Sequence, residues 1–177
     1  QIKAVNTLKP YSEGEWHGIN TDVEGLIYPL ENLNFMSKQA IILGSGGAAR
    51  SAVQGLINLK MSEIIVVSRN QLSLDSLSND FKNQHLIKCV SFKNPNILDF
   101  INSADLIINT TPVGMINHTN AKEEMPFGDN FWTSLNSKTI IYDLIYNPQE
   151  TPLLSYSRKK GCQTINGMKM LVAQGAK

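Results

Sequence analysis

The most constraining feature of the chain is a series of short apolar runs, beginning at residue 40, that alternate with stretches of helical apolar spacing. The runs are rich in Ile, Val and Leu without polar alternation, which is typical of strands buried on both faces. The predicted strands are 40–43, 64–67, 86–92, 106–108 and 140–142, and the predicted helices are 48–59, 72–81 and 97–101. Because strand–helix alternation indicates parallel crossovers, we expect an α/β fold, with a doubly wound, mainly parallel sheet and helices on both faces.

Composition limits the partners of the chain. Its 177 residues, 42% of them hydrophobic, can bury a core of one domain with pieces of a second. The net charge is +1 and no apolar run approaches the ~18 residues of a membrane span, so neither nucleic acid nor a membrane is expected as a partner. Cys89 and Cys162 lie far apart among apolar residues and indicate buried thiols in a reducing cytoplasm. We expect a cytoplasmic protein that binds a small molecule.

Three further features leave alternatives open. Residues 116–130 are predicted to form a long loop near the ligand edge, either functional or a passive insertion. His17, His85 and His118 are scattered, so no metal site is expected. The sequence leaves the oligomeric state undetermined, with a homodimer as the candidate assembly.

A glycine-rich turn joins the first of these strands to the first long helix. It fits the pattern G-x-G-x-x-A and consists of Gly44, Ser45, Gly46, Gly47, Ala48 and Ala49. Gly44 allows the tight turn, Gly46 lets the backbone approach a pyrophosphate, and Ala49 permits close helix–strand packing. The helix start adds unpaired N–H groups and a positive dipole end. Residues 44–48 are therefore candidate cofactor ligands in a Rossmann-like fold, the alternative being a sharp corner without a ligand.

The end of the second predicted strand bears on the choice of cofactor. It reads Ser68-Arg69-Asn70, and these three residues are further candidate cofactor ligands. An NAD-specific site would place a carboxylate about 20 residues after the turn, where it binds the ribose 2′-OH. Arg69 can instead pair with a 2′-phosphate, which favours NADP over NAD. The alternative for Arg69 is a solvated surface arginine.

Five other strings are unusual enough to identify a family. They are Ala4–Thr7, Gly18–Asp22, Ile108–Met115, Tyr142–Pro148 and Asn166–Gln174. Together with the glycine turn they resemble, in order and approximate spacing, the shikimate dehydrogenase family. The resemblance implies that NADPH reduces 3-dehydroshikimate to shikimate between an N-terminal substrate domain and a C-terminal nucleotide domain. It also implies that hydride passes to the ketone carbon while a lysine supplies the proton.

The resemblance assigns substrate roles to four residues. Asn6 and Asp22 match positions that contact the substrate hydroxyls, and Asp22 also matches the aspartate of the catalytic lysine–aspartate pair. Tyr146 and Gln174 match residues that hold the substrate carboxylate and hydroxyls. The residues alone allow plainer alternatives: Asp22 as the cap of a short helix predicted over 23–33, Asn6 in a turn, Tyr146 packed at the sheet edge and Gln174 solvated.

The resemblance also extends the cofactor site. Thr111 and Leu144 match positions that line the cofactor, and Gly167 matches a position near the nicotinamide. Thr110 belongs with them because Asn109-Thr110-Thr111 follows a predicted strand, and ligands bind at the carboxyl ends of parallel strands.

The domain organisation follows from the same resemblance. Residues 1–21 are expected to be a remnant of the substrate domain, 22–167 the NADP-binding domain, and 168–177 the start of a C-terminal helix that returns to the substrate domain. The family lysine lies upstream of Ala4, and no lysine here matches its motif. We expect the chain to bind cofactor but to turn over slowly or not at all.

The chain departs from the family pattern at two places, and these differences leave two other functions open. The family usually has Asn-Arg-Thr at residues 68–70, and often a second basic residue where Ser73 stands. A weaker 2′-phosphate clamp leaves room for a quinate/shikimate dehydrogenase that uses NAD. A non-catalytic dinucleotide-binding module is the other alternative.

Overall fold

The structure is a computed structural model that describes residues 5–35, 38–115 and 128–176. The described strands are β1 (Thr7–Ser12), β2 (Glu15–Ile19), β3 (Gln39–Leu43), β4 (Glu63–Ser68), β5 (Ile87–Ser91), β6 (Leu106–Asn109), β7 (Ile140–Asp143) and β8 (Gln163–Ile165). The described α-helices are α1 (Asp22–Ile27), α2 (Gly47–Asn58), α3 (Gln71–Asp80), α4 (Ile97–Ser103), α5 (Gly128–Ser134), α6 (Pro152–Lys159) and α7 (Met168–Gly175), and a 3-10 helix (Tyr28–Leu30) follows α1. Among these helices, none is long and apolar enough to cross a membrane.

Strands β3 to β8 form one parallel sheet in the order β5-β4-β3-β6-β7-β8. At its centre, Ile41 of β3 lies opposite Ile65 of β4 and Ile107 of β6. The chain runs outward from β3 to β5 and then returns to the other side of β3, so the strand order reverses between β3 and β6. Ligands of doubly wound sheets bind beyond the strand ends at such a reversal. The predicted Rossmann-like α/β fold is confirmed.

Alternate residues of the strands feed two cores, one on each face of the sheet. Ile42, Val66 and Ile108 pack with α1, α2, α3 and α7, whereas Ile41 and Ile107 pack with α4, α5 and α6. All five side chains are fully buried. Burying a side chain of this size contributes roughly 1.5–3 kcal/mol, so burial on both faces explains the uninterrupted apolar runs.

Two glycines set the position of α1 on its face of the sheet. A Cβ on Gly55 of α2 would lie 2.7 Å from Ile27 Cγ2, and a Cβ on Gly25 of α1 would lie 2.9 Å from the Met170 carbonyl oxygen. Real Cβ atoms do not approach other atoms so closely. Glycine therefore allows α1 to pack tightly between α2 and α7.

Most element boundaries predicted from the sequence agree with the structure within one or two residues. Two predictions need correction. The helix predicted over 23–33 is α1 followed by the 3-10 helix, because Pro29 follows the last α-helical turn. The loop predicted over 116–130 is wrong for 128–130, where α5 begins, and residues 116–127 lie outside the described residues.

Five elements were not predicted from the sequence. They are the two strands of the antiparallel β1–β2 hairpin, helices α5 and α6, and the edge strand β8. All of the hairpin is exposed except Thr7, which is half-buried. The two hairpin strands lie within the segment expected to be a domain remnant.

A buried carboxylate ties together the strand ends on the β6–β7 side. Asp143 Oδ1 accepts hydrogen bonds from Asn109 Nδ2 at 3.0 Å and from the Ile145 backbone N–H at 3.1 Å. Its Oδ2 accepts from Thr151 Oγ1 at 2.6 Å, and Thr151 in turn caps α6 by accepting from Leu154 N–H. Burial nevertheless raises the pKa of Asp143 to about 6, against these donors, which favour the charged form.

The raised pKa of Asp143 predicts a pH-dependent stability. The folded state holds the Asp143 proton more tightly than the unfolded state, whose value is near 3.8, so this stabilisation is complete below pH 3.8 and is lost as the pH rises through 6. Relative to Asp143→Asn, which does not titrate, the free energy of unfolding should fall by roughly 2 kcal/mol between pH 4 and 7. Urea unfolding at several pH values measures it.

The exposed Asp99 of α4 supplies a matched control for the Asp143 experiment. Asp99→Asn should follow the wild-type pH dependence. A wild-type minus Asp143→Asn difference that stays flat over this interval would contradict the prediction.

Candidate active site

The glycine turn lies at the sheet reversal, between the ends of β4 and β6. Gly44 N–H donates to the Val67 carbonyl at 2.8 Å, and Thr110 N–H donates to the Leu43 carbonyl at 2.9 Å. Gly44 has a φ of +112°, and a Cβ there would lie 2.5 Å from Thr110 Oγ1. Only glycine satisfies both the backbone conformation and this close approach. The turn and the predicted cofactor residue Thr110 are therefore in direct contact.

Beyond Gly44 the turn is open at residues 46–48, which we call the cradle. A Cβ built on Gly46 or Gly47 meets no atom within 4 Å. Gly46 is the N-cap of the 12-residue helix α2 and supplies no side-chain cap. The first N–H groups of a helix have no partner within it, and the helix dipole makes this end positive. The cradle at residues 46–48 therefore suits a phosphate group.

Hydroxyl groups attach the turn to the end of β4. Ser45 Oγ is buried and donates to Ser68 Oγ at 2.9 Å, and it also bonds Ser73 Oγ. Asn70 caps α3, since its Oδ1 accepts from Ser73 N–H at 3.1 Å. Ser45, Ser68 and Asn70, all predicted cofactor residues, are thus brought together, with side chains bonded to one another or to the backbone.

Arg69 lies at the same edge of the sheet as the turn. It directly follows β4, and its residue is exposed, between buried Ser68 and the cap of α3. None of residues 68–70 is acidic, so the strand end carries a positive charge beside the cradle. That charge suits a phosphate group better than a ribose hydroxyl.

Asn6 and Asp22, which are 16 residues apart in the sequence, are hydrogen bonded to each other. Asn6 Nδ2 donates to Asp22 Oδ1 at 2.7 Å, and Asn6 Oδ1 accepts from Thr21 N–H at 3.0 Å. Thr21 is the N-cap of α1, and Asp22 is its first helical residue. The alternative in which Asp22 caps the helix is therefore wrong. Its carboxylate is held by Asn6, and this geometry leaves acceptor capacity for another donor.

Gln174 lies on the helix that crosses α1 next to Asp22. Its backbone N and Cβ lie 3.2 and 3.0 Å from a Cβ built on Gly25, and Gly25 is one turn after Asp22 on α1. Gln174 is half-buried. Tyr146 follows β7 by three residues and is 45% exposed. Helix packing thus places Gln174 against α1 at Gly25, one turn after Asp22, while Tyr146 stands at the carboxyl end of the sheet.

The remaining predicted cofactor residues surround the ends of β6 and β7. Thr111 N–H and Oγ1 both donate to Asn109 Oδ1, at 3.0 and 2.7 Å. Leu144 N–H donates to the Asn109 carbonyl at 3.1 Å. A Cβ on Gly167 would clash with the Leu144 carbonyl oxygen, so glycine allows the start of α7 to approach this loop. Gly167 therefore has a packing role that the sequence did not indicate.

Sequence reasoning assigned no role to Asp143 and no individual role to Arg50 or Asn109, and the structure places all three around the site. Asn109 and Asp143 lay within identified strings, and polar residues at the ends of apolar runs were the available signal. Arg50 follows the glycine motif directly. Among the described residues, no group of three or more His, Cys, Asp or Glu side chains is arranged to hold a metal ion.

Comparison with known proteins agrees with this geometry. The model of the shikimate / quinate 5-dehydrogenase family matches residues 30–126, more than half of the chain. A shikimate dehydrogenase (NADP(+)) of Prochlorococcus marinus strain MIT 9312 is 60% identical over 177 residues, covering 100% of this chain and 62% of the relative. The chain therefore spans less than two thirds of that relative.

Solved structures agree as well. Shikimate 5-dehydrogenase of Listeria monocytogenes, in complex with shikimate and NAD, has a TM-score of 0.83 at 26% identity, over 99% of this chain and 61% of that one. A shikimate dehydrogenase in complex with NADP⁺ has a TM-score of 0.80 at 33% identity, over 99% of this chain and 59% of that one. The match to the family model, together with the sheet reversal and the glycine cradle, shows that the chain belongs to the shikimate / quinate 5-dehydrogenase family.

Proposed function

We propose that this chain binds NADP(H) and forms the cofactor-binding part of a shikimate dehydrogenase that reduces 3-dehydroshikimate to shikimate. The observation that carries the proposal is the open cradle at Gly46 and Gly47, at the sheet reversal, beside the basic strand end at Arg69. The cradle binds the pyrophosphate and Arg69 binds the 2′-phosphate. When bound, NADPH supplies the hydride.

The Asn6–Asp22 pair supports the substrate half of the proposal. A carboxylate fixed by a neighbouring amide can accept a hydrogen bond from a substrate hydroxyl without reorganising, and it can orient a lysine ammonium. Gln174 adds an amide beside it and Tyr146 a phenol at the strand ends. These four side chains bind and orient the substrate, and Asp22 acts with a lysine that the family resemblance places upstream of this sequence.

Domain roles and setting complete the proposal. Residues 1–21 belong with a substrate domain, 22–167 form the NADP-binding domain, and 168–177 begin a helix that returns to the substrate domain. The protein works in the cytoplasm, as a homodimer, on a small molecule and not on nucleic acid. A net charge of +1 supports the last point.

NAD-dependent quinate/shikimate oxidation is the second candidate, because Ser73 stands where a second basic residue would strengthen the 2′-phosphate site. The Listeria neighbour is in complex with NAD. A non-catalytic dinucleotide module is less well supported, since it would not need Asn6, Asp22 and Gln174.

Arg69→Gln tests the cofactor assignment. Losing a charge-assisted contact to the 2′-phosphate should weaken NADP⁺ binding on the order of tenfold to hundredfold and leave NAD⁺ binding nearly unchanged. Calorimetric titration of both dinucleotides measures this. Arg158→Gln, on α6 at the other edge of the sheet, is the matched control and should change neither affinity. Equal losses for both dinucleotides would argue against a 2′-phosphate contact.

The 177-residue chain should bind NADP⁺ but oxidise shikimate slowly or not at all. General acid–base assistance contributes roughly 10²–10⁴-fold, and the lysine expected to provide it has no match in this sequence. The measurement is NADP⁺ reduction at 340 nm with saturating shikimate. A turnover near the ordinary enzyme value of ~10 s⁻¹ would show that the lysine is not needed.

Asp22→Asn tests the catalytic assignment in this chain extended by the remaining length of a Prochlorococcus relative. The amide cannot stabilise a lysine ammonium or accept as strongly from substrate, so kcat should fall roughly 10²–10⁴-fold while the NADP⁺ affinity is retained. Glu24→Gln, an exposed acid on the same helix, is the control and should keep full activity. Unchanged kcat in Asp22→Asn would remove Asp22 from the mechanism.

A further inference from the structure

The Arg50 side chain contacts the glycine turn, and its three guanidinium nitrogens have three different partners. Nε bonds Asp80 Oδ2 at 3.2 Å, and Nη2 donates to Ser76 Oγ at 3.0 Å. Nη1 donates to the Ser45 carbonyl oxygen at 3.0 Å. The Arg50 and Asp80 side chains are only 15% and 10% exposed. Arg50 therefore connects the turn to α3, and its guanidinium charge is paired with the Asp80 carboxylate.

The bond to the Ser45 carbonyl fixes the direction of the next amide. A trans peptide is planar, so its C=O and the following N–H point in opposite directions. Because Arg50 holds the Ser45 carbonyl toward α3, the Gly46 N–H is turned away from α3. The turn itself lies at the end of β3, where the strand order reverses.

Without this bond the Ser45 carbonyl oxygen loses the side-chain donor that fixes the plane of the Ser45–Gly46 peptide. Gly46 lacks a Cβ and accepts positive and negative φ almost equally, so the peptide plane can rotate at small cost. A rotated plane would present a carbonyl oxygen to a bound phosphate in place of an N–H donor. Both the loss of a charge-assisted hydrogen bond and the new repulsion would weaken binding.

We propose that Arg50 is a positioning residue for the cofactor, which holds the Ser45–Gly46 peptide so that Gly46 N–H donates to the pyrophosphate. The inference rests on the proposed NADP(H) binding and adds a role for a side chain that does not itself touch the cofactor. The side chain of Ser45 is fixed as well, because its Oγ is bonded to Ser68 and Ser73. Arg50 and the serine cluster together define the geometry of the cradle.

Two ligands separate this role from general stability. Arg50→Met and Arg50→Lys are titrated with NADP⁺, which contains the pyrophosphate, and with adenosine 2′-monophosphate, which lacks it. NADP⁺ should bind roughly tenfold or more weakly to both variants, because a bond to a charged group is lost. Adenosine 2′-monophosphate should keep its wild-type affinity by NMR titration. Lysine does not rescue, since a single ammonium paired with Asp80 leaves the Ser45 carbonyl unheld.

Controls distinguish failure of this inference from failure of the proposed function. Arg158→Met removes an arginine from α6 and should bind both ligands as wild type does. Wild-type protein that binds neither NADP⁺ nor NAD⁺ would overturn the proposed function itself. With wild-type binding intact, unchanged NADP⁺ affinity in Arg50→Met, full rescue by lysine, or equal weakening of both ligands would each overturn the role of Arg50. Because Arg50→Lys can keep the Asp80 pair, it carries the test if Arg50→Met fails to fold.

Discussion

The close approach of Gly44 to Thr110 is the constraint on which the site depends. The end of β3 has a neighbouring strand on each side: Gly44 N–H donates to the Val67 carbonyl on one side, and Leu43 accepts from Thr110 N–H on the other. There is no space for a side chain and no freedom for an ordinary backbone conformation. Helix α2 must therefore start directly above the sheet reversal. Its positive end and the ligand crevice coincide because of this one residue.

Helix α1 connects the proposed substrate residues to helix α2. It lies against α2 through Gly55 and against α7 through Gly25, so Asp22 and Gln174 are carried by helices packed on a common core. Asn20 Nδ2 also donates to Ser51 Oγ of α2 at 3.4 Å. Small residues at these contacts leave little room for relative movement. The position of the Asp22 carboxylate is thus fixed relative to the same helix whose start we propose as the phosphate site.

The sequence predicted the elements whose burial leaves a compositional signal. Strands β3, β4 and β6 are enclosed on both faces and read as uninterrupted Ile, Val and Leu. The β1–β2 hairpin gave no such signal because all of its residues except Thr7 are exposed and its register is irregular between Pro10 and Ser12. Strand β8 has only three residues, too few for periodicity. Helix α6 did carry a recognisable start, Thr151 as N-cap followed by Pro152 as first residue, which was overlooked.

For the site, too, the sequence predicted what has a local signal and did not predict what depends on distant residues. The glycine turn and the strand end at Arg69 are local, so their spacing in the sequence was sufficient to predict them. Arg50 and Asp143 act through partners 30 and 34 residues away, Asp80 and Asn109, and no local pattern encodes such pairs. Both are polar groups withdrawn from water, and such groups lower stability unless their hydrogen bonds are satisfied. Here each is bonded to a loop at the carboxyl edge of the sheet, so the polar contacts that cost most to bury are the ones that fix the geometry of the proposed binding site.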